Sequence, residues 1–441
     1  MTEKIVDQII ETRWVIPVLP RGQVLEHAAV VVNHGRIEAI LPTADVRSNF
    51  KAENTTVLAE HALIPGLVNL HTHAAMSLMR GLADDLPLMS WLADHVWPAE
   101  ASAASVRFVR DGTQLACAEM LRGGVTCFND MYFYPEAAAE AVEHSGIRAN
   151  LGLVVLEFPS PYAGDAEDYL NKGLAARDAL HGHSRITTCL APHAPYTISD
   201  KTFARVLTYA DQLGLNVHLH LHETLDEISN SETQYGLRPI ARLAALGLLG
   251  PNLLAAHCVH LLSGEIALLA AQGCHVAHCP SSNLKLGSGI APISALLAAG
   301  VNVGLGTDGA ASNNRLDIFA EMRLAALLAK GAGDASCLPA MVALEMATIN
   351  GARAMGLDQD IGSIEAGKWA DLVAVDFSAA EMQPCYDPVS HLIYVVGREQ
   401  VSHTWVAGEL RHERGVHETN EQAQLKEIAT LWQSRLKQFQ H

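Results

Sequence analysis

The chain has 441 residues, 49% of them hydrophobic and 18% charged, with a formal net charge of −18. That balance excludes a phosphate backbone as a natural partner, because nucleic-acid affinity rests on Lys and Arg that neutralise phosphates, and it suits a small neutral substrate better. No apolar run is long enough to cross a bilayer, and the 8 cysteines contain no CxxC pair, so neither a disulfide framework nor a thiolate zinc site is expected.

In chain order, MTEKIVDQII lacks a basic leader and an apolar core of signal length, so a cytoplasmic location is expected. IIETRWVIPV and AAVVVNHGRIEAILP follow as β-prone runs, with NHG as a turn. From about Leu63 to Gly356, eight apolar runs alternate with helical patterns: ALIPGLVNL, GGVTCFNDM, RANLGLVV, RITTCLAP, NVHLHLH, NLLAAHC, CHVAHCP and NVGLGTD. Segments such as SDKTFARVLTYADQLG and SGEIALLAAQG supply the amphipathic helices between them. This is the pattern of an α/β fold, a (β/α)8 TIM barrel, and is preferred to a doubly wound sheet because no GxGxxG turn follows the first run. GSIEAGKWADLVAVDF and VSHTWVAGELR return to β character, so the two ends are expected to build a small β-sandwich domain together. The expected division is 1–62 and 361–416 for the sandwich, 63–360 for the barrel and 417–441 for a C-terminal surface helix.

Barrel enzymes place their chemistry at the C-terminal ends of strands, and here polar residues collect at those ends. PGLVNLHTH ends on His71 and His73, which strand alternation sets on one face. Two neutral imidazoles on one face begin a metal site. NVHLHLHET offers His218, His220 and His222 on one side, then Glu223; buried histidines are costly unless hydrogen-bonded or ligated. AAHCVH adds His257 and His260, and GTDGAASNN adds Asp308. Taken singly, each has a structural explanation as a surface pair, a core histidine or a turn residue. Their joint occurrence at strands one, five, six and eight does not.

PGLVNLHTH, HLHET, AAHCVH, SSNLKLGSGIAP and GTDGAASNN together resemble the amidohydrolase superfamily, in its branch of amino-heterocycle deaminases and chlorohydrolases. The closest likeness is to the 5'-methylthioadenosine/S-adenosylhomocysteine deaminases. It covers nearly the whole chain, and GSIEAGKWADLVAVD is similar to the re-entry strand of that family's composite β domain. The resemblance implies one divalent metal per subunit, usually zinc and sometimes iron, held by His71, His73, His220 and Asp308 with a water or hydroxide. His220 is selected over His218 and His222 because the family's catalytic acid follows its ligand by three residues, which designates Glu223. His218 and His222 then fall to packing or to hydrogen bonds behind the ligands. His257 matches the catalytic histidine of the sixth strand, and His260 lies beyond that strand. The implied reaction is hydrolytic deamination at C6 of a small nucleoside, run by Glu223, His257 and Asp308, in a homo-oligomer.

The same resemblance implies substrate contacts at Trp91, an apolar wall, at Glu100, which accepts the ribose hydroxyls, and at His193, near the ring and ribose. Glu223 also contacts the ring. A carboxylate bridging a cis-diol separates nucleosides from free bases, since without the diol a desolvated charge stays unpaired. On the 5' side LGLVVLEFPSPYAGDAEDYL departs from members that catch an amino-acid carboxylate with arginine, because it holds Glu157, Asp165, Glu167 and Asp168 but no Lys or Arg. The expected order is therefore 5'-methylthioadenosine first, adenosine accepted, S-adenosylhomocysteine weaker. The competing readings are a deaminase or chlorohydrolase of another ring (guanine, 8-oxoguanine, triazine) and a non-catalytic scaffold, which the full set of site residues disfavours. The Gly-, Ser- and Asn-rich segments after runs seven and eight lack the GK[ST] of a P-loop and are expected to shape the pocket mouth and fix Asp308.

Overall fold

The computed structural model describes residues 3–416 and 418–440. The first β-prone runs become β1 (Lys4–Val15), β2 (Leu25–Asn33), β3 (Arg36–Pro42) and β4 (Phe50–Pro65). β2 and β3 form the hairpin that NHG predicts, with His34 and Gly35 both at positive φ.

The eight apolar runs become parallel strands: β5 (Leu67–Thr72), β6 (Val125–Tyr132), β7 (Arg148–Val155), β8 (Ile186–Pro192), β9 (Val217–Leu221), β10 (Leu253–His257), β11 (His275–His278) and β12 (Asn302–Leu305). Each ladders to the next in chain order. Asp308 N donates to His71 O (2.9 Å), which ties the end of the last strand to the first. These strands read as continuous apolar runs because both faces are covered: every residue of β5, β6, β7, β9, β10 and β11 is buried. The helices between them follow their local signals. Asp200–Leu213 starts where the Ser199 side chain accepts from Thr202 N, stops at left-handed Gly214, and buries Phe203, Val206 and Ala210 at helical spacing.

Past the barrel, β13 (Leu372–Asp376), β14 (Val401–Val406) and β15 (Glu409–Glu413) join the first four strands in one seven-stranded sheet, ordered β15-β14-β13-β4-β1-β2-β3. The two ends of the chain thus build one unit, as their composition predicts. A bidentate pair pins this sheet to the barrel: Arg148 Nε and Nη2, at the start of β7, lie 3.1 and 3.2 Å from the Asp371 carboxylate just before β13. Both side chains are buried, so removing either partner would strand a charge. The final helix runs from Glu418 to Leu436; within the expected 417–441 segment, residues 417 and 441 lie outside the described residues. Its Trp432 packs edge-on to Phe108 (5.0 Å) and donates to Asp111 (2.9 Å), bracing the helix Val106–Arg122. Among the described residues no helix is long and apolar enough to cross a membrane.

Candidate active site

The strand ends converge at one end of the barrel. One nitrogen each from His71, His73 and His220 and one oxygen from Asp308 all lie within 4.8 Å of one another. Their other atoms are engaged in ways that leave the converging atoms free. His73 Nδ1 donates to Met131 O (2.6 Å) and His220 Nδ1 to His193 O (2.7 Å), so in each ring Nε2 is the nitrogen turned toward the site. His71 Nδ1 is 2.9 Å from His218 Nε2. His71 Nε2 is buried and makes no hydrogen bond, although Asp308 Oδ1 is 3.3 Å away. Three imidazole nitrogens and one carboxylate, three of these four residues buried, are a donor set for one divalent cation of the zinc or iron type.

The charges agree with that reading. Burial lowers His71 to about 4 and His193 to about 3, and holds His220 and His218 well below the ordinary histidine range, so these rings are neutral. His73 is the exception. Burial pulls it down, but the hydrogen bond and charge of Asp308 outweigh that and raise it to about 9. Asp308 in turn is pushed up by burial and held well below the carboxylate range by His71 and His73. A cation held by these atoms would take the place of the His73 proton.

Asp308 is held by hydrogen bonds from several sides. Ser282 and Ser312 donate to Oδ2 (2.6 and 2.8 Å), and Gly309 N donates to Oδ1 (2.8 Å). The serines come from SSNLKLG and GTDGAASNN, the two mouth segments. His257 Nδ1 faces Asn283 Oδ1 (2.8 Å), which turns Nε2 toward the site, 3.9 Å from Glu223 Oε2. Glu223 is buried, and burial raises its pKa, as a proton donor requires.

Backbone strain gathers at these same strand ends. His222, His257, Cys258 and Asp308 all have positive φ (54°, 72°, 50° and 60°), a region costly for residues with a Cβ and found where surrounding structure enforces it. At the end of β9 the enforcing group is Glu227, whose carboxylate accepts from His222 N (2.9 Å) and Glu223 N (2.8 Å). This corrects one expectation. His222 does not share a side with His218 and His220, because its left-handed backbone ends the strand's alternation. Its Nε2 accepts from Ile240 N (3.1 Å) and its Nδ1 reaches His260 O (3.1 Å). His218 sits behind His71, and His260 lies past the strand, bonded to Ser288 O (2.7 Å).

A cavity of about 310 Å³ opens over His73, His220 and Asp308, while the fourth donor, His71, is fully buried and does not line it. The cavity brings together Trp91, Glu100, His193, Glu223 and His257 with His73, His220 and Asp308. Its remaining wall is mostly apolar, from Leu88, Val96 and Trp97 to Leu156, Phe158 and Pro161, and none of its lining residues is Lys or Arg. Glu157, Asp165, Glu167 and Asp168 do not line it; Glu157 accepts from Ser199 N and Asp168 pairs with Lys172. Sequence reasoning missed Asn283, Glu227 and Tyr132, whose hydroxyl donates to Glu100 (2.7 Å). The last strand also leaves no room beside the first: a Cβ on Gly306 would lie 2.8 Å from both His71 Cβ and His71 N. Gly306→Ala is therefore expected to displace His71, lowering stability by about 1–3 kcal/mol and reducing bound metal; thermal melts and metal content per chain check both.

The sequence matches the amidohydrolase family over residues 62–411. A 5-methylthioadenosine/S-adenosylhomocysteine deaminase from Teredinibacter turnerae is 48% identical over 408 residues, covering 92% of each chain. A crystal structure of an adenosine deaminase from Xanthomonas campestris, with bound zinc, is 48% identical, covers 99% of this chain and 100% of its own, and superposes with a TM-score of 0.96. Atrazine chlorohydrolase from Arthrobacter aurescens shares the fold alone, at 24% identity and a TM-score of 0.87 over 96% of this chain and 100% of its own. The chain belongs to the amidohydrolase family, in its branch of 5'-methylthioadenosine/S-adenosylhomocysteine deaminases.

Proposed function

We propose that the protein is a metal-dependent aminohydrolase that converts 5'-methylthioadenosine, and also adenosine, to the corresponding inosine compound and ammonia. The observation that carries this reading is one cavity that joins three of the four cation donors, a buried acid at Glu223 and the half-buried carboxylate of Glu100, with no Lys or Arg among its lining residues. His71, His73, His220 and Asp308 would hold one divalent ion, with zinc first because of the relative solved with bound zinc. Such an ion supplies Lewis acidity that lowers the pKa of water toward about 7.

The chain's own residues do the rest. Addition of water at C6 breaks the aromaticity of the purine and moves electron density to N1, where Glu223 delivers its proton. His257, with Nδ1 engaged by Asn283, offers Nε2 to orient the attacking water; Asp308 takes one proton of that water and passes it to the amine as the C6–N bond breaks, and the proton left on the C6 hydroxyl returns to Glu223 as the carbonyl forms. Trp91 walls the ring, His193 bonds near the ring and ribose, and Glu100 accepts from the ribose hydroxyls. The apolar 5' wall fits a methylthio group, and a zwitterionic amino acid finds no cation there, which places S-adenosylhomocysteine last of the three. The setting we propose is a cytoplasmic homo-oligomer, which light scattering of the purified protein checks for assembly.

Ammonia release from the metal-loaded protein, offered 5'-methylthioadenosine, adenosine, S-adenosylhomocysteine, adenine, guanine and a chlorotriazine side by side, tests the reading. The first two are expected to turn over fastest and the free bases least. If a base or the triazine wins, the assignment of Trp91, Glu100 and His193 falls and the metal site stands.

A further inference from the structure

Glu100 is an unusual group for a cavity this apolar. It is a half-buried carboxylate whose pKa burial raises against the Tyr132 hydrogen bond and the charge of His73, and among the described residues no Lys or Arg forms an ion pair with it. Among the described residues its one hydrogen bond through the side chain comes from the Tyr132 hydroxyl, 2.7 Å from Oε1. A carboxylate offers about four acceptor positions, so this bond fixes one oxygen and leaves the other, with most of the charge, for a ligand.

The two partners sit on different parts of the molecule. Tyr132 is the last residue of β6, 6% exposed, with its ring packed against Phe133 (5.2 Å between centroids) and Phe108 (6.4 Å). Glu100 lies on the short helix Trp97–Ala103, in the segment inserted between the first strand and its following helix. The bond therefore ties a recognition group on an insertion to the rigid barrel. We propose that Tyr132 is the positioning residue that sets selectivity for vicinal hydroxyls, acting through Glu100, an inference that rests on Glu100 being the ribose contact. A cation in its place would neutralise the carboxylate and compete for it. A neutral phenol aims the group and leaves its charge to be met by two ligand hydroxyls, and a ligand without them leaves that charge desolvated and unpaired.

The test compares adenosine with 2',3'-dideoxyadenosine on the wild-type holoenzyme, Tyr132→Phe, Glu100→Gln and the double variant. Wild type is expected to favour the riboside. Tyr132→Phe keeps the ring and is expected to raise KM for adenosine by roughly ten- to a hundredfold, the range for a hydrogen bond to a charged group, with kcat and the dideoxy substrate changed little. In the Glu100→Gln background the same change is expected to add almost nothing, because the effect travels through Glu100. Equal losses on both substrates, additive losses in the double variant, or an unchanged KM for adenosine would overturn the inference; melting curves of each variant separate a folding defect from these. If wild type itself does not discriminate, the ribose reading of Glu100 is what fails, and the role of Tyr132 fails with it.

Discussion

Glu223→Gln is expected to lower kcat for 5'-methylthioadenosine by about 10²- to 10⁴-fold, the range for a lost acid-base group, while metal content stays at one per chain. Gln keeps the shape of Glu but has no proton to transfer. The substitution leaves the four donors untouched, since Glu223 is not among them. It also leaves the local backbone alone, because Glu227 holds His222 and Glu223 through their N–H groups and not through the Glu223 side chain. Burial raises the Glu223 pKa, the direction that favours a proton donor. Stopped assays of ammonia release beside metal analysis check the pair of outcomes. Near-normal kcat removes Glu223 from the acid role, and loss of metal shows that it supports the donor set instead.

Much of this architecture is legible in the sequence, for a physical reason. Parallel strands covered on both faces must be apolar throughout, so the eight runs stand out, and the barrel then fixes which end of each run carries chemistry. The HTH of β5 and the HLHLHE of β9 are legible because alternation holds inside a strand. It stops holding where the chain leaves the strand, which is why His222 reads as an inward histidine and is not one: its φ of 54° rotates it out of the pattern. No local rule announces a left-handed residue that Glu227 enforces from five positions away.

The partners behind the site are less legible still. His218 lies behind His71, 147 residues earlier in the chain, and Tyr132 meets Glu100 across 32 residues. In VTCFNDMYFY, Tyr132 is one aromatic among several, and only its hydrogen bond to Glu100 on the inserted helix singles it out. The resemblance to a family supplies Trp91, Glu100 and His193, which composition and periodicity leave as ordinary core or surface residues.

Asp308→Asn is expected to produce the largest loss, with metal per chain falling and turnover of 5'-methylthioadenosine dropping by about 10³-fold or more, because one carboxylate serves two ends. Its Oδ1 faces His71 and His73 at 3.3 and 3.2 Å, while its Oδ2 is held by Ser282 and Ser312. Asn preserves that outline but loses the negative charge that offsets the cation and the basicity that accepts a proton. The two losses separate on adding excess zinc to the variant. If occupancy returns and turnover does not, the proton-handling role of Asp308 stands on its own. If turnover returns in step with occupancy, Asp308 is a ligand only, and the water's proton must go to His257, whose Nε2 is the other acceptor that the Asn283 contact turns toward the site.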